Sequence, residues 1–313
     1  MTVETLGERR VPDSVLTTGT FDGVHLGHAA VLRYVVDRAR AVGGVPTLVT
    51  FDPHPREVLG QGRVELLTTV ERRADLAGAL GVERVVVVPF TRAMAGLSAE
   101  AWVRDLLLGE VGMREVVIGY DHRFGQGRGG DAALLRALGA EHGFAVDVVP
   151  ELVVEGGERG LGVSSSEIRA ALRAGDVRGA ADRLGRDYAL AGEVVRGAQR
   201  GRTIGFPTAN LRPDPRLLVP ADGVYATRAV VEGVEGELWG MTNVGTRPTV
   251  DDGGARSVET HLFDLDADLY GRRLELRFAE RLRDERRFGG LDALTAQLRE
   301  DAGQARKVLG QVS

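Results

Sequence analysis

The apolar pattern of this chain changes period part-way along, and that change calls for two differently built domains. From residue 15 to about 150, short apolar runs alternate with helix-period segments, as a parallel sheet covered by helices requires. Residues 15–18 read as the first strand, and Val31, Leu32, Val35, Val36 and Ala39 mark one face of the helix that follows. Residues 46–51, 85–90 and 116–119 read as further buried strands. Between them, residues 66–80 and 98–108 have helical spacing, with Ser98 as an N-cap. Two more helical stretches, 165–174 and 176–184, close this region. From about residue 188 to 278 the β-like runs are short, at 189–195, 224–231, 238–244, 257–263 and 274–278, with Gly, Pro and Asp turns between them. This pattern favours a small antiparallel barrel, with a sandwich as the alternative. Leu291, Leu294, Leu298, Val308 and Leu309 mark a terminal helix. The expected domains are residues 1–185 and 186–313, each long enough to bury its own core.

The chemistry-bearing segments fall at the ends of these runs. Residues 17–28, TTGTFDGVHLGH, place a glycine turn, an acid and two histidines at the carboxyl end of the first strand, where open α/β sheets bind ligands. Gly19, Gly23 and Gly27 allow close backbone approach. His25 and His28 can donate ring N–H groups to phosphate oxygens, and a helix starting near Leu26 adds an anion-attracting end. The bland reading is a turn with solvated histidines. FDPHP at 51–55 holds the chain extended and aims His54 at the sheet edge, or leaves it solvated in a rigid loop. In IGYDHRFGQGRGGD at 118–131 the glycines suit N–H nests for phosphate and Asp121 suits a ribose or adenine group; the alternative is a surface loop. In VSSSEIR at 163–169 the hydroxyls of Ser164, Ser165 and Ser166 can cap a helix, and Arg169 can neutralise phosphate. In GRTIGFPTANL at 201–211, Gly201 and Gly205 give backbone freedom beside phosphates. Thr208 and Asn210 present two oxygen ligands on one face of an extended segment, suited to one hard cation.

Composition removes several classes of mechanism. There is no cysteine, so disulfides, cysteine-held zinc, iron–sulfur clusters and thiol nucleophiles are excluded. Lys307 is the only lysine among 40 basic residues and falls near the C-terminus, which argues against a P-loop or Schiff-base lysine. Net charge is −5 without a dominant basic block, so nucleic acid is not the expected partner. The first residues, MTVETLGERRVPDS, lack the apolar core of a signal peptide, and no apolar run approaches the roughly 18 residues of a membrane span. A soluble, cytoplasmic protein is expected, with no membrane partner; the oligomeric state stays open, a homo-oligomer included.

The N-terminal segments together resemble the HxGH signature of the nucleotidyltransferase α/β superfamily. The longer string GTFDGVHLGH, with FDPHP, the 118–131 segment and SSSEIR, resembles the adenylyltransferase half of bacterial FAD synthetases. The resemblance implies a Rossmann-like domain in which FMN phosphate attacks the α-phosphorus of ATP in line and expels pyrophosphate. It implies that His25 and His28 stabilise developing charge, that Ser164, Ser165, Ser166 and Arg169 hold the outgoing phosphates, and that Gly19, Phe21, Asp22, Gly27 and Asp121 serve the nucleotide. Three positions depart from the family pattern: His122 stands for Phe, Ser166 for Thr, and Gly162 for a basic residue, with Arg159 three residues away. A lost charge-assisted hydrogen bond costs about 1.5–3 kcal/mol. The C-terminal half, with GFPTANL, GVYAT at 223–227, NVGTRPT at 243–249 and VETHLFDLDADLYG at 258–271, resembles bacterial riboflavin kinases. That likeness implies Glu259 as catalytic base, Thr208 and Asn210 on Mg²⁺–ATP, Gly201 and Gly205 near the nucleotide, and Arg283, Glu285 and Phe288 closing over the flavin. His261 shares the face of Glu259 without an assigned role. The family implied is the bifunctional riboflavin kinase/FAD synthetase, with riboflavin, FMN and ATP as substrates. The alternatives are an active kinase with an impaired or retargeted adenylyltransferase, a silent flavin-binding protein, and a metallohydrolase using His25, His28, His54 and Asp121.

Overall fold

The structure is a computed structural model and describes residues 1–119, 122–150, 163–197, 201, 204–246 and 256–310. It divides into two compact units, Met1–Ser164 and Ser165–Ser313.

In the first unit β1 (Thr2–Thr5), β2 (Ser14–Thr18), β3 (Val45–Asp52), β4 (Arg84–Pro89), β5 (Met113–Gly119) and β6 (Ala145–Val149) form one sheet. Every pairing is parallel and the order is β1-β4-β3-β2-β5-β6. Helices α1 (Leu26–Val42), α2 (Pro55–Val58), α3 (Val70–Ala79), α4 (Arg92–Ala95), α5 (Ala99–Ala101) and α6 (Ala132–His142) connect the strands. α5 runs on with π-type pairing through Trp102–Val111. Alternate strand residues feed opposite layers. Leu16, Val49, Val86 and Val116 pack with Trp102, Leu106 and Leu135 on one face. Leu48 and Val85 pack with Leu32, Val36 and Ala77 on the other. Both faces are thus covered, which is why the strands read as continuous apolar runs. The chain leaves β2 toward β3 on one side and returns to β5 on the other, so the carboxyl ends of β2 and β5 flank a topological switch point.

Three details differ from expectation. The first expected strand is preceded by β1, an exposed edge strand pairing with β4. The helix expected over 66–80 begins only at Val70, because the Asp22 carboxylate takes the N–H groups of Leu67 and Thr68. In the glycine segment 125–130, four N–H groups are already bonded within the protein. The N–H groups of Gln126, Arg128, Gly129 and Gly130 donate to the carbonyls of Leu97, Gly125, Gln126 and Phe124.

In the second unit α7 (Ser165–Arg173) and α8 (Val177–Leu184) precede β7 (Tyr188–Val195), β8 (Ala209–Pro213), β9 (Gly223–Val231), β10 (Leu238–Thr246), β11 (Arg256–Leu262), β12 (Arg273–Arg283) and α9 (Leu291–Leu309). The strands close into an antiparallel barrel in the order β10-β11-β8-β7-β12-β9, which settles barrel against sandwich. The buried hydroxyls of Thr227, Thr242 and Thr260 chain across β9, β10 and β11 at 2.8 and 2.9 Å, so these polar groups satisfy one another. On the opposite face Ala226 and Met241 are covered by Ala302, Ala305 and Leu309 of α9. Leu291, expected to mark that helix's apolar stripe, is exposed. In this unit α7 packs on α8, and α8 on β7 and β12.

Candidate active sites

The loop between β2 and α1 is held from below. Asp22 is fully buried, and both carboxylate oxygens accept the Leu67 N–H at 3.0 Å. One oxygen also accepts from the Thr68 N–H and hydroxyl, at 3.0 and 3.1 Å. The Thr68 hydroxyl oxygen in turn accepts the Gly23 N–H at 3.0 Å. Phe21 is buried among Val24, Leu32 and Val36. Neither of these two expected nucleotide contacts presents its side chain outward; both shape the loop. Gly19 continues β2 by donating its N–H to the Val49 carbonyl, and an added Cβ would sit 3.0 Å from the Phe21 ring.

His25 caps α1. Its Nδ1 accepts the His28 N–H at 3.3 Å, so the neutral ring carries its proton on Nε2. The two imidazoles stack, with centroids 3.6 Å apart and planes 18° from parallel. Burial lowers the pKa of His28 well below its usual value, helped by the charges of His25 and Arg73. His28 is therefore neutral at pH 7 and offers hydrogen bonds rather than standing charge. Its Nδ1 is buried with no partner among the described residues, an atom that a ligand or solvent must satisfy. An added Cβ on Gly27 would lie 3.3 Å from the His25 ring and 3.9 Å from the Val163 carbonyl, so the residue preceding Ser164 runs beside the first turn of α1.

The remaining N-terminal candidates stand on other elements. His54 caps α2 by accepting the Arg56 N–H at 3.2 Å, which is a local structural use. Ser165, Ser166 and a buried Arg169 stand on α7 in the second unit, one residue past Ser164. Asp121, Arg159 and Gly162 lie outside the described residues.

In the barrel, register does the assembling. Glu259 on β11 stands directly opposite Asn210 on β8 and Asn243 on β10, and partners in register share a face. The three polar side chains therefore form one row. An added Cβ on Gly197 would collide with the Asn210 amide, which closes over that glycine. Asn243 Nδ2 donates to Glu285 Oε1 at 3.4 Å, and an added Cβ on Gly245 would collide with the Glu285 carboxylate, so Glu285 sits at the end of the row. Thr208 lies just before β8 and lines a cavity of about 420 Å³ with Leu262, Leu265, Asp266, Leu269 and Tyr270, a volume in the range of small-molecule sites. Gly201 accepts the Phe206 N–H at 2.9 Å, and Gly205 has φ 82°, a turn that suits glycine. Arg283 makes a forked pair with Asp301 of α9 at 2.7–3.1 Å, and its guanidinium lies 5.7 Å from the Phe288 ring centre.

Residues 8–166 match the family described as FAD synthetase, and residues 184–309 the family described as riboflavin kinase. The bifunctional riboflavin kinase/FMN adenylyltransferase of Escherichia coli strain K12 is 39% identical over 297 residues, covering 95% of this chain and 93% of that protein. This chain belongs to the bifunctional riboflavin kinase/FMN adenylyltransferase family. Another family member, from Bacillus subtilis strain 168, is 36% identical over 298 residues, 93% of this chain and 91% of its own. A solved structure described as a macrolide-efflux protein from Streptococcus pneumoniae matches with a TM-score of 0.86 at 28% identity, over 98% of this chain and 99% of that one. The efflux description belongs to that protein; among the described residues here no helix is long and apolar enough to cross a membrane.

Within this riboflavin kinase/FMN adenylyltransferase fold, two further side chains, Arg73 and Asn243, join the sites, and His261, noted only for sharing the face of Glu259, finds a partner. Arg73, buried on α3, donates from Nη1 to the Thr50 hydroxyl at 2.7 Å and the Phe51 carbonyl at 3.3 Å; Thr50 donates to the Thr20 carbonyl at 3.0 Å. A charged residue on the inward face of a helical pattern was its only signal. Asn243 sat unremarked inside NVGTRPT. His261 donates toward Pro207 of the GFPTANL segment.

Proposed function

We propose that the chain carries out both steps of FAD synthesis. Residues 186–313 phosphorylate riboflavin to FMN with ATP, and residues 1–185 join FMN to AMP from a second ATP with release of pyrophosphate. The observation that carries this reading is the Asn210–Glu259–Asn243 row, with Thr208 two residues before Asn210 on the same segment. The Glu259 carboxylate accepts the proton of the riboflavin 5′-hydroxyl as that oxygen attacks the γ-phosphorus. Thr208 and Asn210 offer neutral oxygen donors, and the described residues hold no cluster of three His, Cys, Asp or Glu able to cage a metal. That donor set fits Mg²⁺ delivered with ATP, which keeps much of its shell from phosphate and water. When bound there, Mg²⁺ neutralises phosphate oxygens. Glu285, at the end of the row, and Phe288 are assigned to the flavin side.

For adenylylation, His25 and His28 act as neutral donors to charge developing on the transferred phosphate, aided by the N-terminus of α1. Ser164, Ser165, Ser166 and Arg169 are assigned to the departing pyrophosphate. Positioning and charge stabilisation suffice, since the transfer is direct and needs no covalent enzyme intermediate. The partners are small molecules, and the compartment is the cytoplasm.

A chromatographic assay with Mg²⁺–ATP tests both halves, with riboflavin in one tube and FMN in another. FAD in both tubes is expected. FMN accumulating without FAD in either tube would sink the adenylyltransferase assignment, and unchanged riboflavin would sink the kinase assignment.

A further inference from the structure

Glu259 and His261 stand two residues apart on β11 and so share a face. Glu259 faces Asn210, and the ladder between β11 and β8 ends one residue further on, at Thr260 and Ala209. Upstream of Ala209 the chain leaves the sheet, and a side chain takes over from backbone pairing. His261 Nδ1 lies 2.8 Å from the Pro207 carbonyl oxygen. A carbonyl only accepts, so Nδ1 carries the ring proton. Two aromatic edges fix the ring: Phe206 at 5.1 Å and 66°, and Phe263 at 5.8 Å and 71°. Arg306 of α9 lies over Phe263 at 4.2 Å. Thr208 is thereby held from both sides, by the bonded carbonyl of Pro207 before it and by the ladder from Ala209 after it.

We propose that His261 is a positioning residue for phosphoryl transfer: by holding the Pro207 carbonyl from the strand that carries Glu259, it fixes the Thr208 hydroxyl relative to the base. This inference rests on the kinase reading above. A backbone segment outside a sheet relaxes once its tether is cut, and misplacement of a nucleotide-side oxygen weakens binding of Mg²⁺–ATP while leaving the flavin side untouched.

The test compares His261→Phe, which keeps a ring of similar shape without a donor, with His261→Asn, whose side-chain amide restores a donor near the position of Nδ1. Riboflavin phosphorylation by the full chain is followed against each substrate. His261→Phe is expected to raise KM for Mg²⁺–ATP about three- to tenfold, the size of one neutral hydrogen bond, with KM for riboflavin within about twofold. His261→Asn is expected to return KM for Mg²⁺–ATP to within about twofold of wild type. An unchanged KM for Mg²⁺–ATP in His261→Phe, or equal damage to both substrates in both variants, overturns the proposal. Nitrogen NMR of the wild-type ring gives a second readout that no substitution can confound: an Nδ1–H tautomer is expected, and an Nε2–H tautomer refutes the tether. Should the wild-type chain make no FMN at all, the kinase reading falls, and the tautomer still decides the tether separately.

Discussion

Phe21 and Val24 both hold left-handed backbone angles, with φ 47° and 40°, on either side of Asp22 and Gly23. Such conformations cost about 1–3 kcal/mol each for non-glycine residues, most of all for a β-branched one. Each hydrogen bond to a charged group contributes about 1.5–3 kcal/mol, so the buried Asp22 carboxylate, bonded to Leu67 and Thr68, can offset that strain. Asp22→Ala is accordingly expected to destabilise the first unit by about 3–5 kcal/mol and to depress FAD formation from FMN, with riboflavin phosphorylation spared. Urea unfolding followed by Trp102 fluorescence in a Trp239→Phe background checks the first part. A variant of wild-type stability would show that the loop supports itself. His28 gives a pH signature. Its folded pKa lies well below the ordinary value of 6.5, so below pH 6.5 the unfolded chain takes up a proton that the folded ring refuses. The associated stability is complete above pH 6.5 and is lost as pH falls toward the folded value. His28→Asn should flatten the decline of the first unit's urea midpoint between about pH 6.5 and 5. Equal slopes in the two proteins would mean that His28 titrates normally.

The secondary elements were legible where period and burial agree. β2 to β5 are buried runs of a two-face sheet, and β7 and β9 to β12 are short β-like runs bounded by turns. What escaped notice depends on remote partners. β1 is an exposed edge strand of four residues that pairs with β4, some eighty residues away in sequence. The start of α3 is set by Asp22, 45 residues upstream, and no local propensity encodes that. Sequence also shows which side chains are present but not where they point. Arg283 reads as a flavin contact in the RLRDERRF string, yet it pairs with Asp301, which is 1% exposed and also accepts from Gln297 Nε2 at 2.8 Å. Removing one partner of such a pair strands a buried charge, at a cost of about 3–5 kcal/mol. Asp301→Ala should therefore loosen α9 from the barrel and lower the transition reported by Trp239, which packs in the α9 cluster. An unchanged transition would mean that the pair does not hold α9 to the barrel.

At the scale of the molecule, the histidine loop and the Glu259 row fall in differently built units, while Ser165, Ser166 and Arg169 stand with the barrel. His25 and His28 stand in Met1–Ser164, and Glu259, Asn210 and Thr208 in Ser165–Ser313. The sequence announced this through its change of period. It did not announce that α7 and α8 pack with the barrel, because their apolar faces suit either a sheet or a barrel wall. Independent sites would make FMN a released product of one chemistry and a diffusible substrate of the other, which a mixing experiment tests. Glu259→Gln removes the proposed base and should lower riboflavin phosphorylation about 10²–10⁴-fold while sparing FAD formation from supplied FMN. His28→Ala should do the converse, losing adenylylation by about 10²–10³-fold. Neither variant alone then turns riboflavin into FAD. An equimolar mixture should, because FMN made by the His28→Ala chain can reach the intact adenylyltransferase of the Glu259→Gln chain. Time courses of the mixture should show an FMN lag that shortens in proportion to the concentration of the Glu259→Gln chain. If the mixture makes FMN but no FAD, while each variant keeps its own half-reaction on supplied substrate, then FMN is not exchanged through solution and the two sites are not independent.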